Sequence, residues 1–315
     1  MRKSYLMMAA AATMLAACTQ TDIVQEVNTQ QAIGFDSYVG KSTRTEFTND
    51  ASLHSAGFKV WGYANDSETV FEGVGVTWSS DKWDYSGDKQ YWSKSATYDF
   101  YATAPNSTAI AWDNANGKFT ITDAKSGLST ESDVIDYLTA TKLDVTREGN
   151  VDATVEFNFN HVMSKVAVAL KKSEDIADTQ VLKVTKVTMS GWNSSLGNYD
   201  SEETPVWALE DPTNDAGSAV FVSAETAEIT TTETVIGTEF LIVPQTIAAE
   251  GLVFTVSYTL DGLEYNEHVA KLSASQVWEP NQFTTYTLTI GPEAIEFGTQ
   301  VVEGWNPVPG GTSVQ

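Results

Sequence analysis

Val155-Glu156-Phe157-Asn158-Phe159 alternates apolar with polar side chains over its whole length, and Phe254-Thr255-Val256-Ser257-Tyr258-Thr259-Leu260 and Tyr286-Thr287-Leu288-Thr289-Ile290 do the same. A period of two puts successive side chains on opposite faces of an extended backbone, so each run reads as a β-strand with one face toward a core. Phe58-Lys59-Val60-Trp61-Gly62-Tyr63 belongs with them. Outward from these runs, short apolar segments are broken by clusters of Gly, Asn, Asp and Pro, the spacing of β-sandwich sequences. Asp261-Gly262, between Leu260 and Leu263, predicts a two-residue hairpin turn. Helical periodicity is weak throughout, and Asp175 to Thr179 predicts a turn or two at most. The expected fold is all-β.

With 315 residues, 42% of them apolar, the chain can fill the cores of two domains of roughly 100–200 residues each. The polar stretch Thr146-Arg147-Glu148-Gly149-Asn150 is the candidate boundary. It gives an N-terminal β-sandwich domain over 32–148 and a C-terminal one over 149–315, with Asn193 to Asn214 a long loop or strand pair inside the second. Nine Trp, twelve Tyr and thirteen Phe beside 19% charged residues suit the flat aromatic packing of strands. Lys and Arg number 18 against 42 Asp and Glu, a net charge of −24 that repels phosphate backbones and excludes nucleic acid as a partner.

Cys18 is the only cysteine, so no internal disulfide and no thiolate metal cluster can form. Arg2 and Lys3, the apolar run from Tyr5 to Ala16, and Leu15-Ala16-Ala17-Cys18 together read as a lipoprotein signal peptide over 1–17, with the Cys18 thiol as the acylation site. The run falls short of the roughly twenty residues of a bilayer-spanning helix. Removal of 1–17 takes away Arg2 and Lys3, leaving 16 basic against 42 acidic residues, a mature charge of −26. The polar residues after Cys18 make 18–31 a tether between lipid and domain, and the expected location is the outer membrane or cell surface.

His54, His161 and His268 lie far apart, none has a second ligand at metal spacing, and each reads as structural. The chain has no Gly-x-Ser-x-Gly, no Walker sequence and no Gly-rich turn leading into a helix. Asp113-Asn114-Ala115-Asn116-Gly117 lacks the ligand spacing and closing Glu of a calcium loop and reads as a solvated hairpin turn. Nothing points to catalysis, a metal or a cofactor. The concentration of Trp78, Trp83, Tyr85, Tyr91, Trp92, Tyr98, Phe100 and Tyr101 has two readings. Alternation of Tyr98, Phe100 and Ala102 favours rings that fill a sandwich interior; the other reading is a stacking platform for sugars. Arg44, in Lys41-Ser42-Thr43-Arg44-Thr45-Glu46-Phe47, shares only with Arg147 the arginines beyond the leader, and its small polar neighbours read as an accessible protease site.

Taken in order over nearly the whole mature chain, these features resemble the fimbrillin-like family of Bacteroidales, the subunits of lipoprotein-derived (type V) pili. The resemblance is carried by Cys18, by Ile33-Gly34-Phe35 followed by Thr43-Arg44, by Phe58 to Tyr63, and by Tyr91-Trp92 leading to Tyr98-Asp99-Phe100-Tyr101-Ala102-Thr103-Ala104-Pro105. Asp136-Tyr137-Leu138-Thr139-Ala140, Phe159-Asn160-His161-Val162-Met163-Ser164-Lys165-Val166, Leu241-Ile242-Val243-Pro244-Gln245, Trp278-Glu279-Pro280-Asn281 and Trp305 complete it. It implies two tandem transthyretin-like β-sandwich domains and no enzymatic activity. It also implies that an arginine-specific protease cuts after Arg44, making Thr45 the new N-terminus. The cut would release the lipid at Cys18 (a palmitate anchor) and a first strand holding Ile33, Phe35 and Val39. The groove left behind would accept a strand from another subunit, donated by the C-terminal segment with Ile295, Phe297, Val301, Val302 and Trp305. Implied partners are further copies and tip or anchor subunits, the protease, a receptor on a host or bacterial surface, and the outer membrane before maturation into an extracellular fimbria. Having both the cut site and a tail favours a stalk subunit over a tip or anchor. The alternative from a different class is a monomeric surface lipoprotein that binds glycans through Trp78, Trp83 and Tyr85.

Overall fold

The alternating runs are strands of five sheets in the computed structural model, which describes residues 31–39, 50–147, 154–201, 206–214 and 216–305. Cys18, Arg44, Thr45 and everything after Trp305 lie outside the described residues. The chain runs β1 (Gly34–Val39), α1 (Asp50–Ala56), β2 (Phe58–Ala64), β3 (Glu68–Ser79), β4 (Lys82–Tyr85), β5 (Thr97–Ala104), β6 (Ile110–Asp113), β7 (Lys118–Ala124), β8 (Gly127–Leu128), β9 (Leu138–Thr146) and β10 (Thr154–His161). It continues through β11 (Ser164–Lys172), β12 (Leu182–Trp192), β13 (Gly197–Asp200), β14 (Val206–Leu209), β15 (Gly217–Val222), β16 (Thr234–Ile242), β17 (Gln245–Ile247), β18 (Val253–Leu260), β19 (Leu263–Lys271), β20 (Gln276–Trp278), β21 (Gln282–Ile290) and β22 (Ile295–Gly304).

Seven strands in the order β1-β10-β9-β5-β2-β3-β4 form the first sheet. It curls until its edges meet: β1 comes into contact with β4, and Ala32 bridges Tyr91 just beyond β4. Phe58, Phe71, Phe100, Phe157 and Phe159 fill the inside of the curl. The short helix α1 closes one end with Leu53, fully buried, and the chain leaves it through Gly57 at φ 66, where a Cβ would sit 2.7 Å from the Val76 carbonyl. The helix was not expected from the sequence, since seven residues with one core side chain show no period.

The second unit is a sandwich of the five-stranded sheet β22-β21-β11-β16-β8 on the four-stranded sheet β15-β12-β18-β19, with Val166, Val187, Phe240, Phe254 and Tyr286 among its core residues. The remaining four-stranded sheet, β14-β13-β7-β6, takes two strands from each half of the chain and covers a third core made of Phe119, Ile121, Tyr199, Leu241, Val243 and Trp305. The turn signals hold: Leu260 pairs with Leu263 across Asp261 (φ 50) and Gly262 (φ 81), and the Asp113 carboxylate accepts from the Ala115 and Asn116 amides between β6 and β7.

The expected boundary at 148/149 is not where the sheets change over. Thr146 and Thr154 end and begin two strands of the same curled sheet, because Val155, Phe157 and Phe159 of β10 bury into the first core. The chain passes to the second unit at Val162-Met163, between β10 and β11. Asn193 to Asn214 contributes the hairpin β13–β14, which belongs to the shared sheet rather than to the second unit alone.

Burial pushes the hydroxyl of Tyr199, at the centre of the junction core, up to about 12, and burial pushes Tyr286 up as well. An unfolded chain releases a tyrosine proton near ~10, so stability is fully present below that pH and falls as pH rises toward the folded value. Denaturant unfolding followed against pH should show a plateau through neutrality and a decline above pH ~10 that Tyr199→Phe makes shallower.

Candidate functional site

Strand β1 pairs in parallel with β10 from Gly34 opposite Thr154 to Val39 opposite Phe159. On its other flank, the residues just before it close the curl: the Ile33 amide donates to the Gln90 carbonyl at 2.8 Å and the Trp92 amide to the Gln31 carbonyl at 3.0 Å. Ile33 and Phe35 point inward. Phe35, 5% exposed, meets five rings, with centroids 5.1 Å away at Phe71, 5.7 Å at Tyr85, 5.9 Å at Phe157, 6.1 Å at Phe100 and 6.5 Å at Phe58. Without β1, those aromatic faces and the outer edge of β10 form an open slot. Nothing is described of the Val39 side chain.

The rim of the slot near Tyr85 is fastened by Lys89, whose Nζ lies 4.1 Å above the Tyr85 ring, donates to the Tyr85 carbonyl at 3.0 Å and hydrogen-bonds Asp84. That hydrogen bond holds the Asp84 carboxyl below its ordinary range, while burial pushes the Tyr85 hydroxyl up. Tyr85 keeps its proton and accepts from the Gln90 amide at 3.1 Å, next to the bond that receives Ile33.

The segment expected to be donated is not a loose tail. β22 lies antiparallel on β21 from Ile295 opposite Ile290 to Gly304 opposite Gln282, at the edge of the five-stranded sheet. Ile295 is buried and Phe297 packs edge-on to Phe254 at 5.5 Å, whereas Val301 and Val302 are 41% and 43% exposed. Trp305, 1% exposed, stacks on His161 at 3.8 Å with Lys165 Nζ 4.9 Å from its ring. His161 Nδ1 donates to Asp136 at 2.8 Å, and Lys165 pairs with Glu239 at 3.5 Å. Three of the five donor residues therefore fill their own chain's cores, because Ile295 and Phe297 complete the sandwich edge and Trp305 closes the junction.

The Asp136–His161 pair was invisible in sequence, where the two lie 25 residues apart. His54 stacks on Trp78 at 3.6 Å and His268 lies 5.4 Å from Tyr258, and among the described residues no three His, Cys, Asp or Glu are grouped to hold a metal. Trp83, Tyr85, Trp92, Tyr98 and Phe100 are buried in the first core, which is the interior reading of the aromatic segment; His54 already covers a face of the half-buried Trp78. Among the described residues no helix is long and apolar enough to cross a membrane.

A curled sheet sealed by one short parallel strand and joined to a sandwich defines the all-β class of the chain, and comparison gives it a family. The model of the fimbrillin-like family matches residues 43–305, and the chain belongs to that family. A fimbrial protein from Bacteroides vulgatus shares its fold at 20% identity and a TM-score of 0.60, covering 87% of this chain and 99% of that one. Proteins ascribed a cell-adhesion role from Bacteroides uniformis (17% identity, TM-score 0.56, 88% and 99% covered) and Bacteroides ovatus (15%, 0.57, 88% and 98%) are similar in the same way. No curated protein matches the chain.

Phe35→Ala should lower the unfolding free energy of the uncut chain by about 3–5 kcal/mol in denaturant titrations, as for other large-to-small core changes. Trp305→Ala should cost a similar amount, and Val302→Ala, at the exposed edge, should stay within ~0.5 kcal/mol of wild type.

Proposed function

We propose that the chain is a structural subunit of a cell-surface fimbria, exported as a lipoprotein acylated at Cys18 and polymerised by strand exchange after cleavage following Arg44. The observation that carries this reading is β1. It plugs an aromatic core with Ile33 and Phe35, pairs along β10, and is followed in sequence by the segment 40–49 that contains Arg44. Downstream of the cut the chain is also fastened by Leu53 of α1, buried in the same core.

Removal of β1 leaves an open strand edge and an apolar slot, and a strand from a neighbour restores both the backbone bonds and the buried side chains. Replacing Ile33 and Phe35 alone is worth ~1.5–3 kcal/mol each. The donor is the C-terminal part of another copy, which makes this chain a stalk subunit able to accept and to give. The fibre serves adhesion, with tip and anchor subunits and a surface receptor as its other partners.

Treating the purified chain with an arginine-specific protease should produce Thr45 as the new N-terminus by mass spectrometry and a ladder of polymers on an unheated gel. Arg44→Ala should yield neither. Ladders from the uncut Arg44→Ala chain, or a Thr45 N-terminus with monomer only, would refute the mechanism.

A further inference from the structure

Ten residues, Asn306-Pro307-Val308-Pro309-Gly310-Gly311-Thr312-Ser313-Val314-Gln315, follow Trp305. Trp305 is fixed in the junction core, and its amide donates to the Asn281 carbonyl at 2.8 Å. Beside Asn281 opens a cleft of about 660 Å3, bounded by Val206–Leu209 on one side and by Val277, Trp278, Glu279 and Pro280 on the other. All four residues of β14 line it, although successive side chains of a strand point to opposite faces, so the cleft runs along the strand's edge. That edge is the outer one: β14 is last in its sheet, and β13 is its one partner among the described residues. Val206 and Val277, 55% and 44% exposed, face solvent on the two walls. A bare strand edge between exposed valines is the surface that an added extended peptide covers.

The sequence after Trp305 has the chemistry for a single edge. In an extended chain the N–H groups of alternate residues point to the same side, and Pro307 and Pro309 have none. The donors of Asn306, Val308 and Gly310 therefore share one side, and such a strand pairs with one neighbour only. The segment carries no charged side chain, and Glu279 is the one charged residue lining the cleft, so nothing repels it in a chain of net charge −24. Five extended residues span about 16 Å, enough to run the length of a four-residue strand.

We propose that residues 306–310 add to the outer edge of β14 in the same molecule, as a fifth strand of the shared sheet. Held there, the tail is kept from neighbouring subunits until assembly displaces it. That consequence rests on the fimbrial reading, but the docking itself does not.

The test uses the full chain with Cys18→Ser, so that introduced thiols are its only ones. Val206→Cys and Ala208→Cys are each combined with Val308→Cys, and Val235→Cys with Val308→Cys is the control. Val235 is also exposed but pairs with Ala169, at the far end of the sheet from Ile242 and the junction. On oxidation at low concentration, one β14 pair should close into a reducible disulfide within the monomer, and the control should not. Failure of both β14 pairs, or equal closure of the control, overturns the proposal. Crosslinked dimers without the internal bond overturn it too, assigning the cleft to a second copy's tail. Because the readout is taken on uncut monomer, a failed ladder after protease treatment and a failed crosslink are separate results.

Discussion

The parallel pairing of β1 with β10 is the contact on which the first half of the molecule depends. A sheet that curls must seal the gap between its first and last strands, and here one short strand does so, bonded along its length to β10 and at its start to the residues after β4. A parallel partner needs a long connection, unlike the hairpins that tie β2, β3 and β4 together. So the sealing strand is not held to its partner by a tight turn. Phe35 raises the stakes, since five rings of the core lean on it.

The same β10 links the slot to the other end of the chain. Its residues Thr154 to Phe159 pair with β1, and two residues later His161 stacks on Trp305 with Asp136 fixing its ring. Lys165, on the next strand, contributes a buried cation held by Glu239 over the same indole. Burial favours pairing of polar groups, and here the pairs orient rings at the seam between two units. The shared sheet β14-β13-β7-β6 reinforces that seam, so β10 and the C-terminal strand β22 meet beside one packed core.

Strands with strict alternation were legible in the sequence, as were the turns Asp261-Gly262 and Asp113 to Gly117, because period and turn chemistry are local. Which sheet a strand joins is not local. β10 reads the same whether it opens a second domain or completes the first, and only the burial of Val155, Phe157 and Phe159 against β1's neighbours decides it. The polar stretch at 146–150 looked like a linker because loops within a sheet have the same composition. Strands as short as β8 or β14 leave no period to read, and Asp136 meets His161 only in three dimensions. The donor role of Ile295 to Trp305 comes from the family resemblance, and the same apolar side chains also make a good edge strand.

That ambiguity narrows once β22 is seen in place. Ile295 and Phe297 hold its start and Trp305 holds its end, with the register shift between the Tyr286 and Leu288 pairings in the middle. A segment pinned at both ends does not swing out as one piece. After Trp305 the sequence turns to Pro307 and Pro309, which have no backbone N–H to donate. The slot left by β1 makes a matching demand: six residues of β10 on one flank, and on the other only the short stretch at Gln90 to Trp92. A strand able to bond one edge only would fit that slot as it would fit the edge of β14.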